Sequence, residues 1–244
     1  MLLYYITDRR QFPGSEEDRR RTLLKTISEA ARCGVDYVQL REKDLGAREL
    51  LRLAEEAAAA IKSAAPKRLE TGNQKLETRL LINSRIDIAL AAGADGVHLR
   101  SDDISVAEAR VVCMKAAAAG HRPLATDHFI TACSCHSADD VRRADADGAD
   151  FSVFAPVFEK AGQQGVGLEA LRAACRRTPQ ASTPEASLTM RMPVLALGGV
   201  TLENARACIV AGAAGVAAIR LFQENDVEEV VARLRSLATA KDAK

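Results

Sequence analysis

Gly34-Val35-Asp36-Tyr37-Val38 recurs along the chain as Gly93-Ala94-Asp95-Gly96-Val97, as Gly148-Ala149-Asp150-Phe151-Ser152-Val153 and as Gly212-Ala213-Ala214-Gly215-Val216. Each copy follows an Ala-rich, helix-like stretch and leads into a short apolar run. Glycine takes up the left-handed conformation that ends a helix, a short turn follows, and a buried strand begins. The leading glycines stand 59, 55 and 64 residues apart, about twice the length of one strand-plus-helix unit. Halving that interval predicts roughly eight units, and so a single α/β domain over residues 1–244, a (βα)8 TIM barrel.

Outward from these anchors, strands are predicted near Leu3–Thr7, Tyr37–Arg41, Leu80–Asn83, Gly96–Leu99, Phe129–Ser134, Phe151–Phe154, Val194–Leu197 and Val216–Ile219. Helical patterns between them include Ala47–Ser63, Ser84–Ala92, Ser105–Ala116, Ala138–Asp147, Leu168–Arg177, Leu202–Ala211 and Asp226–Ala238. The strands are apolar on both faces, as a parallel sheet covered by helices requires. A doubly wound open sheet is the alternative, but its Gly-x-Gly-x-x-Gly after the first strand is absent. Three long polar connections, Pro66–Thr78, Ala117–His128 and Thr178–Met192, each run from a helix into the next strand. In a barrel that places them on the N-terminal face, away from chemistry.

Composition narrows the partners. Of 244 residues 48% are apolar and 27% charged, an ordinary globular balance. With 34 Lys and Arg against 33 Asp and Glu, the net charge of +1 provides no global pull toward nucleic acid or an anionic membrane. Aromatics at 4% with no Trp argue against base-stacking surfaces. No apolar run approaches a membrane span, and the opening Met1-Leu2-Leu3-Tyr4-Tyr5-Ile6-Thr7-Asp8 reaches a charge too early for a signal peptide. A cytoplasmic protein acting on small molecules is expected, with a homo-oligomer left open. Its six cysteines, Cys33, Cys113, Cys133, Cys135, Cys175 and Cys208, contain no C-x-x-C pair and read as small packing thiols. Cys133-Ser134-Cys135-His136 is a weak zinc pattern, and it places Cys135 near a strand end.

Chemistry in such a barrel gathers at the C-terminal strand ends. There stand Thr7-Asp8-Arg9, Gln39-Leu40-Arg41-Glu42-Lys43, Asn83-Ser84-Arg85, His98-Leu99-Arg100-Ser101-Asp102-Asp103, Ser134-Cys135-His136-Ser137, Glu159-Lys160, Gly198-Gly199 and Ile219-Arg220. Arg41, Lys43, Arg100, Lys160 and Arg220 collect on one rim of a nearly neutral protein. Alternation sends Gln39, Arg41 and Lys43 to one side if the strand continues, which suits a phosphate or diphosphate. Rim salt bridges to Glu42 and Asp44 explain the same pentapeptide equally well. Gly198-Gly199-Val200-Thr201, between strand and helix, reads as a backbone phosphate site. Asp102 and Asp103 read either as ligands for a diphosphate-bound Mg2+ or as caps of the helix beginning near Ser105. Ser134 and His136 are placed to touch substrate, whereas His98, His121 and His128 read as ordinary satisfied side chains.

At these residues the chain resembles the thiamine phosphate synthase family, which includes the related thiazole tautomerases. The likeness runs through Tyr5-Ile6-Thr7-Asp8, Gln39–Asp44, Leu81-Ile82-Asn83, Gly93–Leu99, Ser134–Ser137, Pro156-Val157-Phe158, Gly165–Leu168 and Gly198–Thr201. The resemblance implies a barrel coupling a hydroxymethylpyrimidine diphosphate to a thiazole phosphate, with release of thiamine phosphate and pyrophosphate. It implies that Gln39, Arg41, Lys43 and Asn83 hold the pyrimidine diphosphate with Ser134 nearby. Asp103 would bind Mg2+, Gly199 and the Ile219-Arg220 backbone would hold the thiazole phosphate, and Lys160 would be the lysine of the sixth loop. The chain departs from the synthases at Ser84, where an Asp is usual, with Asp102 as the substitute ligand to consider. It departs again in its short sixth loop, and at Arg220, where a small polar residue is usual. A metal-free thiazole tautomerase using His136, or a non-catalytic phosphate-binding barrel, are the alternatives.

Overall fold

All four turn glycines of the repeat adopt positive φ, with Gly34 at 83°, Gly93 at 64°, Gly148 at 82° and Gly212 at 109°. Each therefore ends a helix and launches a strand, as the echo predicts. The computed structural model describes residues 1–64, 77–118, 129–159, 162, 164–176 and 192–239. Eight parallel strands close into one barrel in chain order: β1 (Leu2–Ile6), β2 (Tyr37–Leu40), β3 (Arg79–Asn83), β4 (Gly96–Leu99), β5 (Ile130–Cys135), β6 (Phe151–Phe154), β7 (Val194–Ala196) and β8 (Gly215–Ala218). Helices wrap its outside: α1 (Glu16–Cys33), α2 (Ala47–Ala64), α3 (Ile86–Ala92), α4 (Val106–Ala118), α5 (Ala138–Ala146), α6 (Gly167–Cys175), α7 (Ala205–Val210), α8 (Arg220–Gln223) and α9 (Val227–Thr239).

Alternation along the strands divides the apolar residues into two bodies. Tyr4, Ile6, Leu81, Ala132, Phe151, Val153, Leu195 and Ala217 fill the barrel interior. The residues between them, such as Leu3, Val38, Ile82 and Val97, pack outward against the helices. The aspartate of the repeat has its own task. Asp36, Asp95 and Asp150 each stand just before an even-numbered strand and accept the N–H of Leu3, Leu80 and Thr131 at 2.6, 2.8 and 2.7 Å. Each carboxylate thereby ties the odd strand to the even strand that follows it. Arginines hold the same aspartates: Arg235 at 2.8 Å from Asp36, Arg79 at 3.0 Å from Asp95 and Arg110 at 3.3 Å from Asp150.

Several boundaries differ from the sequence reading. α1 is a full helix opened by a Ser15–Asp18 capping box, a signature the repeat does not contain. α3 begins at Ile86, not Ser84, because Ser84 takes φ 60° and interrupts the backbone. α7 is confined to Ala205–Val210, and β8 ends at Ala218 as the chain coils into α8. The predicted capping of α4 by Asp102 or Asp103 is also replaced. Ser105 does this, its Oγ accepting the Glu108 N–H at 3.2 Å while Glu108 Oε2 accepts the Ser105 N–H at 2.8 Å. Of the three long connections, 65–76, 119–128 and 177–191 lie outside the described residues, as do His121 and His128.

Candidate functional site

The C-terminal end of the barrel is polar where the interior below is apolar. Gln39, Asn83, His98 and Ser134 continue the inward-facing positions of β2, β3, β4 and β5. Gln39, 2% exposed, donates Nε2–H to Asn83 Oδ1 at 2.9 Å, and Asn83 Nδ2 donates to Ser84 Oγ at 3.0 Å. His98 lies 2.9 Å from Ser134 Oγ through Nε2 and 3.2 Å from the Tyr4 hydroxyl through Nδ1. Burial, and then the Arg41 charge, pushes its pKa down to about 3, so the imidazole is neutral. The histidine read as merely satisfied is thus satisfied by the serine of the site.

β2 stops at Leu40, so the run Gln39–Lys43 does not alternate to its end. Arg41 is half-buried, its N–H donating to Thr7 Oγ1 at 3.0 Å, and Lys43 is exposed. The acids beside them turn away onto Arg9. Its Nη1 lies 3.0 Å from Glu42 Oε2 and 2.8 Å from Asp44 Oδ1, and its Nη2 donates to Asp44 Oδ2 at 2.8 Å. Glu42, whose side chain is fully enclosed, also accepts from Thr7 Oγ1 at 2.6 Å. The rim salt bridges weighed for Arg41 and Lys43 therefore go to Arg9. Neither cation has an ion-pair partner within 4.0 Å among the described residues. Lys43 is pushed below the usual lysine range, chiefly by Arg41 and then by burial, Arg100 and Arg10. Arg41 is pushed down mainly by burial. Arg41 bears on Lys43, while Asp8 and Glu42 offset part of the Arg41 shift. Two neighbouring cations without an ion pair among the described residues form a cradle for an anion.

Asp102, two-thirds exposed, makes a two-pronged pair with Arg100, from Arg100 Nε to Oδ1 at 2.8 Å and from Nη2 to Oδ2. Asp103 Oδ2 accepts the Arg100 N–H at 2.7 Å in the turn after β4, and its side chain is 18% exposed. Among the described residues, no three or more His, Cys, Asp or Glu side chains are grouped to hold a metal. The donor set suits a cation held mainly by a bound phosphate and water with Asp103 as the protein ligand. It does not suit a closed protein cage.

Across the barrel, Gly198 and Gly199 stand at φ 97° and 62° after β7, lining a small hollow with Ile219 and Arg220. A Cβ on Gly199 would meet Glu159 O at 2.7 Å and Phe158 Cβ at 2.8 Å, so the position requires glycine for space as well as for torsion. Among the described residues, the Gly199 and Val200 N–H groups have no protein acceptor, while Thr201 N donates to Asn204 Oδ1 at 2.8 Å. His136, exposed after β5, donates Nδ1–H to Ala155 O at 2.7 Å, because a carbonyl can only accept. Its Nε2 makes no hydrogen bond among the described residues. Cys135 does not reach the site: it is 1% exposed on the outward face of β5, 4.0 Å from the Cys133 sulfur. Lys160 lies outside the described residues. The sequence assigns no role to Thr7, Arg9 or Tyr4 and reads His98 as ordinarily satisfied, because the partners Glu42 and Tyr4–His98 lie 33 to 94 positions apart.

The profile of the thiamine monophosphate synthase family matches residues 3–222. A thiamine-phosphate synthase of Methanoculleus marisnigri is 34% identical over 245 residues, covering 98% of this chain and 96% of that protein. One from Syntrophomonas wolfei is 32% identical over 240 residues, covering 96% and 95%. Among solved structures, thiamine phosphate pyrophosphorylase from Pyrococcus furiosus superposes with a TM-score of 0.71 at 24% identity, covering 98% of this chain and 96% of that one. The chain belongs to the thiamine monophosphate synthase family.

Proposed function

We propose that this member of the thiamine monophosphate synthase family is a transferase joining a hydroxymethylpyrimidine diphosphate to a thiazole phosphate, with release of thiamine phosphate and pyrophosphate. The observation that carries the reading is the Arg41–Lys43 cradle, without an ion-pair partner among the described residues, beside the polar collar of Gln39, Asn83 and Ser134. The collar matches a small polar heteroaromatic ring, and the cradle matches the diphosphate attached to it. In the reaction the bond between the pyrimidine methylene and the diphosphate oxygen breaks, and the thiazole nitrogen forms a bond to that methylene carbon. Negative charge builds on the leaving oxygens, where Arg41 and Lys43 would meet it. Asp103 would hold Mg2+, which supplies further neutralisation of the diphosphate. Asp102 is already engaged by Arg100 and takes no part in this reading. The Gly199 N–H, the Ile219-Arg220 backbone and the Gly198 turn would hold the thiazole phosphate, keeping its nitrogen opposite the pyrimidine. Lys160, outside the described residues, is the candidate lysine of the sixth loop in this reading.

Mixing both substrates with and without Mg2+ and measuring pyrophosphate tests this. Turnover that falls at least tenfold in Arg41→Ala and in Asp103→Ala is expected, and no pyrophosphate under any condition refutes it. A second reading, a thiazole tautomerase, is favoured by His136 Nε2, which has no hydrogen-bond partner among the described residues. It predicts that His136→Gln abolishes isomerisation of a thiazole carboxylate while Arg41→Ala leaves it intact. A non-catalytic phosphate-binding barrel would show neither activity while still binding pyrophosphate.

A further inference from the structure

Beneath the collar, Tyr4 is fully buried, and its ring is clamped edge-on by Tyr37 at 5.9 Å and Phe151 at 5.3 Å. Among the described residues its hydroxyl has one hydrogen-bond partner, His98 Nδ1. A buried O–H that does not donate is costly, and Nδ1 is the acceptor within reach. Nδ1 must then be the unprotonated nitrogen, and the single proton of the neutral ring lies on Nε2. Nε2–H donates to Ser134 Oγ, which fills a lone pair of that oxygen and leaves the Ser134 O–H to point elsewhere. Ser134 is half-buried on the inward face at the C-terminal end of β5, so elsewhere is the mouth of the barrel. The opposite tautomer would strand the Tyr4 proton and consume the serine proton on the histidine.

We infer that Tyr4 and His98 are positioning residues that fix the Ser134 hydroxyl as a hydrogen-bond donor toward substrate. The site then selects a ligand atom with a lone pair, such as a ring nitrogen, over a ligand N–H at the same place. This rests on the pyrimidine-binding reading of the collar. The relay explains why a histidine and a tyrosine occupy interior positions, His98 level with Asn83 and Ala132 and Tyr4 level with Tyr37 and Ala217. It also gives the two residues a direction, because the proton order runs from Tyr4 through His98 to Ser134 and ends on the substrate.

Nitrogen-15 NMR of histidine-labelled protein reads the tautomer without any turnover. His98 is expected to carry its proton on Nε2 in the wild type, and a proton on Nδ1 overturns the inference whether or not the protein is a synthase. In Tyr4→Phe the lock is removed, and the spectrum should show loss of the pure Nε2–H form. If the wild type turns over, its KM for the pyrimidine diphosphate should rise about tenfold in Tyr4→Phe, the worth of one hydrogen bond, with KM for the thiazole phosphate unchanged. The decisive arm is the double variant. Tyr4→Phe should have no further effect on that KM in a Ser134→Ala background, because it acts through Ser134. Effects that multiply would assign Tyr4 to packing alone. Wild-type protein that makes no pyrophosphate would refute the synthase reading and leave the NMR arm to decide the relay.

Discussion

Arg9→Met should separate two roles of one side chain. Arg9 is 4% exposed and holds three carboxylates, of Glu16, Glu42 and Asp44. Glu16 and Asp44 are 60% and 41% exposed, so water substitutes for Arg9 there and each contact contributes about 0–1 kcal/mol. Glu42 is the exception. Its carboxylate is 0% exposed, and without Arg9 it retains, among the described residues, only the Thr7 hydroxyl at 2.6 Å and the backbone N–H of residue 9 at 3.1 Å. An uncompensated buried carboxylate costs about 3–5 kcal/mol. For a barrel of this size that is a fall in Tm of roughly 10 °C, readable by circular dichroism. Arg9→Met/Glu42→Gln removes the stranded charge and should recover more than half of the loss. The second effect is on binding. With Arg9 gone, Glu42 and Asp44 compete for Arg41 and Lys43, and KM for the pyrimidine diphosphate should rise. A Tm within 2 °C of wild type, or a double variant no more stable than Arg9→Met, would show that Arg9 does not neutralise Glu42 as argued.

Other expectations follow from the same geometry. Pyrophosphate should raise the Tm of the wild type, and less so that of Arg41→Ala, because the anion relieves the mutual repulsion of Arg41 and Lys43. Lys43 has a depressed folded pKa, so without ligand the protein should gain stability as pH climbs between the folded and the unfolded lysine values, a gain that pyrophosphate removes. His98 has a folded pKa of about 3 against an ordinary value of 6.5, so its contribution is complete above pH 6.5 and is lost as pH falls toward 3. Roughly 2 kcal/mol should be gone by pH 5, and His98→Asn should flatten that acid slope in urea titrations. Gly199→Ala, with φ 62° and a contact at 2.7 Å, should raise KM for the thiazole phosphate at least tenfold and leave the pyrimidine KM within twofold; equal effects on both would contradict the assignment.

The barrel is legible in the sequence because its turn glycines obey a local rule. Gly34, Gly93, Gly148 and Gly212 need a torsion that other residues resist, and the strands after them are short and apolar. The rim residues Arg41, Lys43, Asp103 and Gly199 are legible for a related reason, since strand ends are fixed once strands are placed. What stays hidden is the pairing between distant positions. Nothing local in Thr7-Asp8-Arg9 says that Arg9 will draw in Glu42 and Asp44, 33 and 35 residues on, and so leave Arg41 and Lys43 open. Nothing local in Val97-His98-Leu99 says that His98 faces Tyr4 on one side and Ser134 on the other. The left-handed Ser84 is similar, because its torsion is unfavourable by propensity and arises where Ser84 N–H closes onto His98 O at 2.8 Å.

Asp36, Asp95 and Asp150 bond within the pairs β1–β2, β3–β4 and β5–β6. The long connections, 65–76, 119–128 and 177–191, fall between those pairs in the chain. The molecule is therefore divisible along its own joints. New termini at any of those connections leave every aspartate bond inside one continuous piece, and a circular permutant opened there should fold. New termini at the Gly93 turn would put Asp95 and Leu80 at opposite ends of the permuted chain, turning a bond between near neighbours into one that the whole barrel must close first.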